Sequence, residues 1–180
     1  RLAGGDRATA DPFLEAAGLR PGDALLDCTL GLGADARVAA EAVGESGRVL
    51  GLEASPALAA WVGEGLRLLA GASARRVEVL RADHGDFLRA CPERSFDVVA
   101  FDPMFRHARA EPPGFELVRL LGDARPLAPE VLAQARRVAR RAVVVKDGAP
   151  GWDLARLGLA PLPSRRGARR LYGRLDASRG

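Results

Sequence analysis

The sequence predicts an α/β fold, a Rossmann-like, doubly wound and mostly parallel sheet with helices on both faces. Short apolar strands alternate with helical segments along the chain, which is typical of right-handed β-α-β crossovers. A turn containing Gly31 and Gly33 joins the first strand to the first long helix. The next three strands are each followed by an acidic residue. Because ligands in such folds bind beyond the carboxyl ends of the strands, these acids are expected to line one rim.

The early elements have clear local signals. A short helix at 11–18 begins with Pro12, a residue suited to the first helical position, and forms a lead-in within residues 1–20. The first strand is predicted at 24–28, a helix at 34–43 and the second strand at 48–53. Ser55 and Pro56 start the next helix, which runs to residue 69 with apolar residues at helical spacing. We interpret residues 1–180 as a single domain with its core at 21–180.

The second half continues the alternation and then changes direction. Strands are predicted at 77–80, 96–101 and 142–146, and helices at 85–90, 114–121, 129–140 and 152–157. Two short segments, 159–164 and 169–175, flank the turn formed by Arg165, Arg166 and Gly167. Their spacing predicts a C-terminal antiparallel hairpin added to the parallel sheet.

Composition limits the class of protein. A chain of 180 residues with 48% hydrophobic residues suits one soluble domain with a full core. No apolar run reaches membrane-spanning length and no signal-peptide pattern is present, so we expect a cytoplasmic protein without a membrane partner. The net charge of +4 favours a nucleic-acid partner mildly. The His, Cys, Asp and Glu residues have no metal-ligand spacing, and no metal is expected.

The glycine turn leaves two cofactors open. Gly31 and Gly33 followed by Ala36 fit the G-x-G-x-x-A dinucleotide fingerprint, which would indicate NAD. Asp27, four residues before Gly31, would repel a pyrophosphate but could pair with an ammonium group. S-adenosylmethionine carries an ammonium, a sulfonium, a ribose and an adenine, and no phosphate. Asp27 therefore favours S-adenosylmethionine over NAD.

Two further strand ends supply groups for a nucleoside. Glu53 follows the glycines at the distance where doubly wound folds hold the ribose hydroxyls. Asp83 is predicted to accept a hydrogen bond from the adenine amino group, with His84 beside it. These residues complete a predicted cofactor site of Asp27, Gly31, Gly33, Glu53, Asp83 and His84.

The motif after the fourth strand indicates the chemistry. Asp102-Pro103-Met104-Phe105 matches the Asp/Asn-Pro-x-aromatic pattern of enzymes that methylate amines. An exocyclic amine on a base is a poor nucleophile because its lone pair is delocalised into the ring. The Asp102 carboxylate and the Pro103 carbonyl could both accept from that amine and stabilise the developing charge. Phe105 would stack on the base.

These motifs together resemble a known family. Four segments look like the RsmJ-like family, and the resemblance covers residues 9–176: Asp27–Asp35, Leu52–Pro56, Asp102–His107 and Val143–Lys146. That family comprises bacterial small-subunit rRNA guanine-N2 methyltransferases with the class I methyltransferase fold. The resemblance implies cofactor contacts at Asp35, Glu53, Asp83, His84 and Asp102. It also implies ribosomal RNA or the small ribosomal subunit as the partner.

Three residues are candidates for contact with the substrate. Arg106 and His107 follow the catalytic motif, and Lys146, the only lysine, ends the fifth strand, where it could reach the substrate or brace Asp102. The sequence leaves two alternatives to rRNA methylation. One is methylation of another amine in tRNA, DNA or a small molecule, and the other is a non-catalytic module that binds S-adenosylmethionine or RNA.

Overall fold

The computed structural model describes residues 11–69, 71–103 and 115–177. Within them the strands are β1 (Ala24–Asp27), β2 (Arg48–Glu53), β3 (Val77–Arg81), β4 (Phe96–Phe101), β5 (Ala139–Gly148) and β6 (Arg170–Asp176). The helices are α1 (Pro12–Ala17), α2 (Ala34–Val43), α3 (Pro56–Leu69), α4 (Gly71–Ala74), α5 (His84–Ala90), α6 (Phe115–Leu121), α7 (Pro129–Val138) and α8 (Trp152–Arg156).

The six strands form one sheet in the order β3-β2-β1-β4-β5-β6. The first five strands of that order pair in parallel, and β6 pairs with β5 in the antiparallel sense. The predicted doubly wound, mostly parallel sheet with an antiparallel C-terminal strand is therefore confirmed. Strand order reverses between β1 and β4, which is where such folds bind their ligands.

Two apolar layers cover the sheet, and neighbouring residues of each strand alternate between them. Leu25 belongs to the layer that includes Phe13 of α1 and Val62 of α3. Leu26 belongs to the opposite layer, with Leu88 of α5 and other residues of α7 and α8. The central strands are thus buried on both faces, as expected of a parallel sheet between helices.

Three details differ from the sequence prediction. Helix α4 was not predicted. Helix α7 ends at Val138, and β5 starts at Ala139 because Arg140 and Arg141 pair with Asp97 and Asp23 from strand positions. The 159–164 segment forms only an isolated bridge, between Pro161 and Gly173, because prolines lack the N–H group that a ladder needs.

Asp147 holds the turn that follows β5. Its carboxylate is buried, accepts the Gly148 N–H at 2.7 Å, and accepts the N–H groups of Asp153 and Leu154 at 2.9 and 3.1 Å. It therefore caps α8 from outside the helix, since the N-cap residue Gly151 has no side chain to do so.

We predict that Asp147→Ala lowers the free energy of unfolding by about 2–4 kcal/mol, because it leaves three N–H groups without their acceptor. Urea unfolding followed by circular dichroism measures the change. Glu64→Ala is the control, since its ion pair with Arg67 is exposed and its loss should leave the free energy of unfolding close to the wild-type value. Equal losses in the two variants would contradict the capping role.

Candidate active site

The glycine turn lies directly after β1 and is shaped by backbone contacts. Asp27 ends the strand, and its Oδ1 accepts the Thr29 N–H at 3.1 Å. Gly31 and Gly33 have φ angles of 50° and 71°, which favour glycine. A Cβ at Gly33 would lie 3.3 Å from Leu66 of α3, whereas at Gly31 the nearest atom would be 3.9 Å away. The turn is packed behind Gly33 and open at Gly31, so a ligand can approach the backbone there.

Glu53 is held against this turn at the end of β2. Its Oε2 accepts the Gly31 N–H at 3.2 Å, and its Oε1 accepts the Ser55 N–H at 2.9 Å. The side chain is buried, so both bonds fix the carboxylate in one position. Each oxygen retains acceptor capacity for a hydroxyl donor.

Lys146 joins two carboxylates across the rim. Its Nζ donates to Asp102 Oδ2 at 2.6 Å and to Asp35 Oδ2 at 2.9 Å, and the residue is 7% exposed. Asp102 follows β4, whereas Asp35 lies in the first turn of α2. Burial alone would lower the pKa of Lys146, but Asp102 and Asp35 outweigh it and raise that pKa above its ordinary value. Lys146 is therefore a fixed cation that links the start of α2 to the end of β4.

The backbone at Asp102 is anchored as well. Its N–H donates to Thr29 Oγ1 at 2.6 Å, which ties the Asp102-Pro103 step to the glycine turn. Burial raises the pKa of Asp102, and the Lys146 cation opposes that effect. The Oδ2 atom of Asp102 faces Lys146, and its Oδ1 atom has no hydrogen-bond partner within the described part of the chain.

The Asp27 carboxyl is buried at the rim, close to two other carboxylates. It is 4% exposed, and burial together with the nearby charges of Asp35 and Asp102 raises its pKa to about 7. Among the described residues, Lys146 is the cation that acts on Asp27, and it is also paired with Asp35 and Asp102. Such a site favours a ligand that brings its own positive charge.

Asp83 and His84 form a second group at the start of α5. Asp83 Oδ1 caps the helix by accepting the Asp86 N–H at 3.0 Å, and its Oδ2 accepts from Arg125 Nη2 at 2.5 Å. Arg125 is also paired with Asp123. Burial lowers the pKa of His84, whose ring contacts Phe101 edge-on at 5.9 Å between centroids.

The structure brings five of the predicted site residues into contact at the rim. They form two groups: Glu53 with Gly31, and Lys146 with Asp35 and Asp102. The predicted Phe105, Arg106 and His107, with Met104 of the same motif, lie outside the described residues.

Sequence analysis missed Thr29 and the Asp123–Arg125 pair. Thr29 carries a usable signal, since it is a hydroxyl residue within the motif that starts at Asp27. No local pattern in the sequence points to Arg125, because its contact with Asp83 joins residues 42 positions apart in the chain.

A comparison with known families identifies the cofactor. The family described as "Putative SAM-dependent methyltransferase" matches residues 6–156, which is most of the chain. The chain belongs to this family of methyltransferases. The cofactor that the glycine fingerprint left open is therefore S-adenosylmethionine and not NAD.

Curated relatives of this methyltransferase are longer than it is. An uncharacterised Bacillus subtilis protein, YpiP, is 41% identical over 76% of this chain and 56% of its own length. The Coxiella burnetii protein named ribosomal RNA small subunit methyltransferase J is 30% identical over 81% of this chain and 58% of its own length. The chain spans a little over half the length of these relatives.

Solved structures share the fold of the methyltransferase. A SAM-dependent methyltransferase from Neisseria gonorrhoeae has a TM-score of 0.64 and 24% identity, with 93% of this chain and 66% of that chain covered. Another, from Aquifex aeolicus, has a TM-score of 0.59 and 18% identity, with 89% and 86% covered. At these identities the likeness establishes the class I methyltransferase fold.

The rim fits this cofactor by its donor set. S-adenosylmethionine carries positive charge on its ammonium and its sulfonium. In the described part of the rim, the carboxylates outnumber the cation of Lys146, so they can accept this charge. The open backbone at Gly31 and the fixed Glu53 carboxylate suit a neutral, hydroxyl-bearing sugar. In the described ranges no His, Cys, Asp or Glu group could hold a metal ion, and no described helix is long and apolar enough to cross a membrane.

We predict that Asp27→Asn stabilises the protein more at pH 8 than at pH 4.5. The pKa of Asp27 lies near 7 in the folded state and near 3.8 in the unfolded state, so the wild type loses stability as the pH rises through this window. Asparagine keeps the acceptor for Thr29 and has no charge to bury. The relative gain at pH 8 is up to about 4 kcal/mol.

Urea unfolding at the two pH values checks this prediction. Asp86→Asn is the control, because its exposed side chain should give the same difference from wild type at both pH values. A gain for Asp27→Asn that does not change with pH would show that the buried carboxyl does not titrate in this window.

Proposed function

We propose that the protein methylates the exocyclic N2 amine of a guanine in small-subunit ribosomal RNA. The observation that carries the proposal is the Asp102-Pro103 step, fixed at the rim between Thr29 and Lys146. The Coxiella burnetii relative named ribosomal RNA small subunit methyltransferase J supports the RNA substrate.

The two acceptors of this step suit an amine nucleophile. The free oxygen of Asp102 and the Pro103 carbonyl can each accept a hydrogen bond from an NH₂ group. Together they would turn the nitrogen lone pair away from the ring and stabilise the positive charge that develops on nitrogen. Asp102 must be ionised for this role, and Lys146 favours the ionised form.

The cofactor residues divide the remaining work. S-adenosylmethionine supplies a methyl group on a positively charged sulfur when bound. Asp27 would pair with the ammonium group, Glu53 would accept from the ribose hydroxyls, and Gly31 would allow close approach to the backbone. Asp35 supports Lys146 from the start of α2, and Asp83 with His84 flanks the adenine. Most of the acceleration would come from alignment and fixed charges, without a covalent enzyme intermediate.

The roles proposed for Phe105, Arg106 and His107 rest on the sequence alone. Phe105 would stack on the extruded base, and the two following residues would contact the RNA. No metal is assigned a role in the reaction.

The direct test uses small ribosomal subunits from a strain that lacks this gene. The subunits are incubated with the protein and methyl-labelled S-adenosylmethionine, and the digested RNA is analysed for labelled nucleosides. Label in N2-methylguanosine supports the proposal. Label in another nucleoside, or only in tRNA or small amines, would overturn the substrate while leaving the methyltransferase in place.

We predict that Asp102→Ala lowers kcat for this reaction by about 10²–10⁴-fold, because the amine loses its charged acceptor. Labelled methyl transfer under single-turnover conditions measures the change. Glu78→Ala, which removes an exposed carboxylate paired with Arg48, should keep wild-type activity. Activity of Asp102→Ala within a few-fold of wild type, with an unchanged circular dichroism spectrum, would rule out the assigned role.

We also predict that Lys146→Met moves the acid limb of the kcat–pH profile to higher pH. Without the ammonium at 2.6 Å, burial raises the pKa of Asp102 further, so activity falls at neutral pH and recovers under alkaline conditions. Lys146→Arg keeps the charge and should keep the limb near its wild-type position. A uniform loss at all pH values would indicate a purely structural lysine.

A further inference from the structure

One segment of the chain has arginines but no acidic residues. Between residues 154 and 175 there are six arginines and no Asp or Glu. Arg165, Arg166, Arg169 and Arg170 are all exposed, and none of their guanidinium groups forms an ion pair or hydrogen bond with another residue that the structure describes. These four positive charges are therefore available to an external partner.

Outside this segment, five exposed arginines of the described ranges form ion pairs with carboxylates: Arg48, Arg67, Arg89, Arg125 and Arg140. Exposed arginines without an ion pair, such as Arg20, Arg37 and Arg94, are spread singly over other elements. A high arginine content alone does not explain why four arginines within the six positions 165–170 all lack an acidic partner. The contrast marks the segment as a separate electrostatic feature of the surface.

The segment lies beside the candidate active site. β6 starts at Arg170, which pairs with Gly148 at the end of β5, and Tyr172 pairs with Lys146. The Arg170 charge is close enough to Asp102 to lower the pKa of that carboxyl. The arginines therefore lie at the same rim as Asp102, on the side opposite the strands β2 and β3 that carry Glu53 and Asp83.

An exposed aromatic side chain lies next to them. Trp152 is 66% exposed and forms no ring contact with any residue that the structure describes. The turn before it is tied to the arginine segment, since the Ala149 N–H donates to the Arg169 carbonyl at 3.0 Å. A Cβ added to Gly151 would lie 3.2 Å from Leu171, so the start of α8 packs against the start of β6.

We propose that Trp152 with Arg165, Arg166, Arg169 and Arg170, here called the arginine face, binds single-stranded RNA flanking the target nucleotide. Guanidinium groups bind phosphates through paired N–H donors, and an exposed indole stacks on an unpaired base. The combination fits a single strand better than an acidic protein, which offers no base to stack. The inference rests on the proposed function only for the choice of RNA as the polymer.

The test compares two variants with equal charge change. One carries Arg165→Gln, Arg166→Gln, Arg169→Gln and Arg170→Gln on the arginine face. The matched control carries glutamine in place of four arginines that lie before the amino ends of β1, β3, β4 and β5, away from the carboxyl-end rim, and whose side chains have no ion pair with a described residue: Arg20, Arg75, Arg94 and Arg136. Binding of a labelled 12-nucleotide single-stranded RNA is followed by fluorescence anisotropy at several KCl concentrations, and thermal melting checks that both variants fold.

The arginine-face variant should bind RNA at least tenfold more weakly than wild type at 100 mM KCl. The slope of log K against log salt should become shallower by about 3, since each lost phosphate contact contributes about 0.7 for a single strand. The control should stay within about twofold of wild type. Equal losses in both variants would overturn the proposal, as would displacement of the RNA by polyglutamate as effective as displacement by unlabelled RNA.

Trp152 offers an independent readout, because the chain has two tryptophans. In a Trp61→Phe variant, Trp152 is the sole tryptophan, and its fluorescence should be quenched on RNA binding. Trp152→Ala should weaken RNA binding by about five- to tenfold with an unchanged salt slope, and Trp152→Phe should restore most of it. Fluorescence that does not respond to bound RNA would remove Trp152 from the face and overturn the stacking part of the proposal.

Methyl transfer separates this inference from the proposed function. Loss of RNA binding in the arginine-face variant, with no N2-methylguanosine formed even by wild type, supports the face and overturns the guanine-N2 reaction. Wild-type levels of N2-methylguanosine at limiting RNA in the arginine-face variant overturn the face and support the reaction.

Discussion

The ion pairs of Lys146 are the constraint on which the rim depends. Its ammonium joins the start of α2 to the end of β4, and these two elements bracket the point where strand order reverses. Truncating Lys146 would leave Asp35 and Asp102 facing each other beside the buried Asp27 without a cation between them. Removing one partner of a buried charge network is costly because the remaining charges keep their desolvation penalty. Lys146 therefore fixes the position of Asp102 and also sets the charge that the rim presents to a positively charged ligand.

Neighbouring side chains of β5 point to opposite faces of the sheet and have different roles. Lys146 points toward the layer of α2, where it meets Asp35, and Asp147 points toward the layer of α8, which it caps. Successive residues of one strand thus set the charge of the candidate active site and the placement of the surface that carries Trp152. A change in the register of β5 would disturb both at once, because a shift of one residue exchanges the two faces.

The fold was predictable because its signals are local. Alternating strands and helices, the glycines of the turn and the acids after each strand gave the parallel sheet and the common rim of Asp27, Glu53 and Asp102. The error at the start of β5 came from Arg140 and Arg141, whose strand positions depend on ion pairs with residues more than 40 positions away. Arg125 at Asp83 was missed for the same reason. Charge pairs between distant segments leave no periodic trace in a sequence.

The raised pKa of Asp27 has a consequence for the way a polyanion meets this molecule. The protein carries a net charge of +4, yet Asp27, Asp35 and Asp102 lie around Lys146 in the described part of the rim. A phosphodiester brought to the surface by exposed arginines would be repelled from the rim itself, while an uncharged base edge would not. The uneven distribution of charge would thus determine which part of a nucleic acid can reach the rim. For the RNA substrate proposed above, it would keep the phosphate backbone outside and admit the neutral part of one nucleotide.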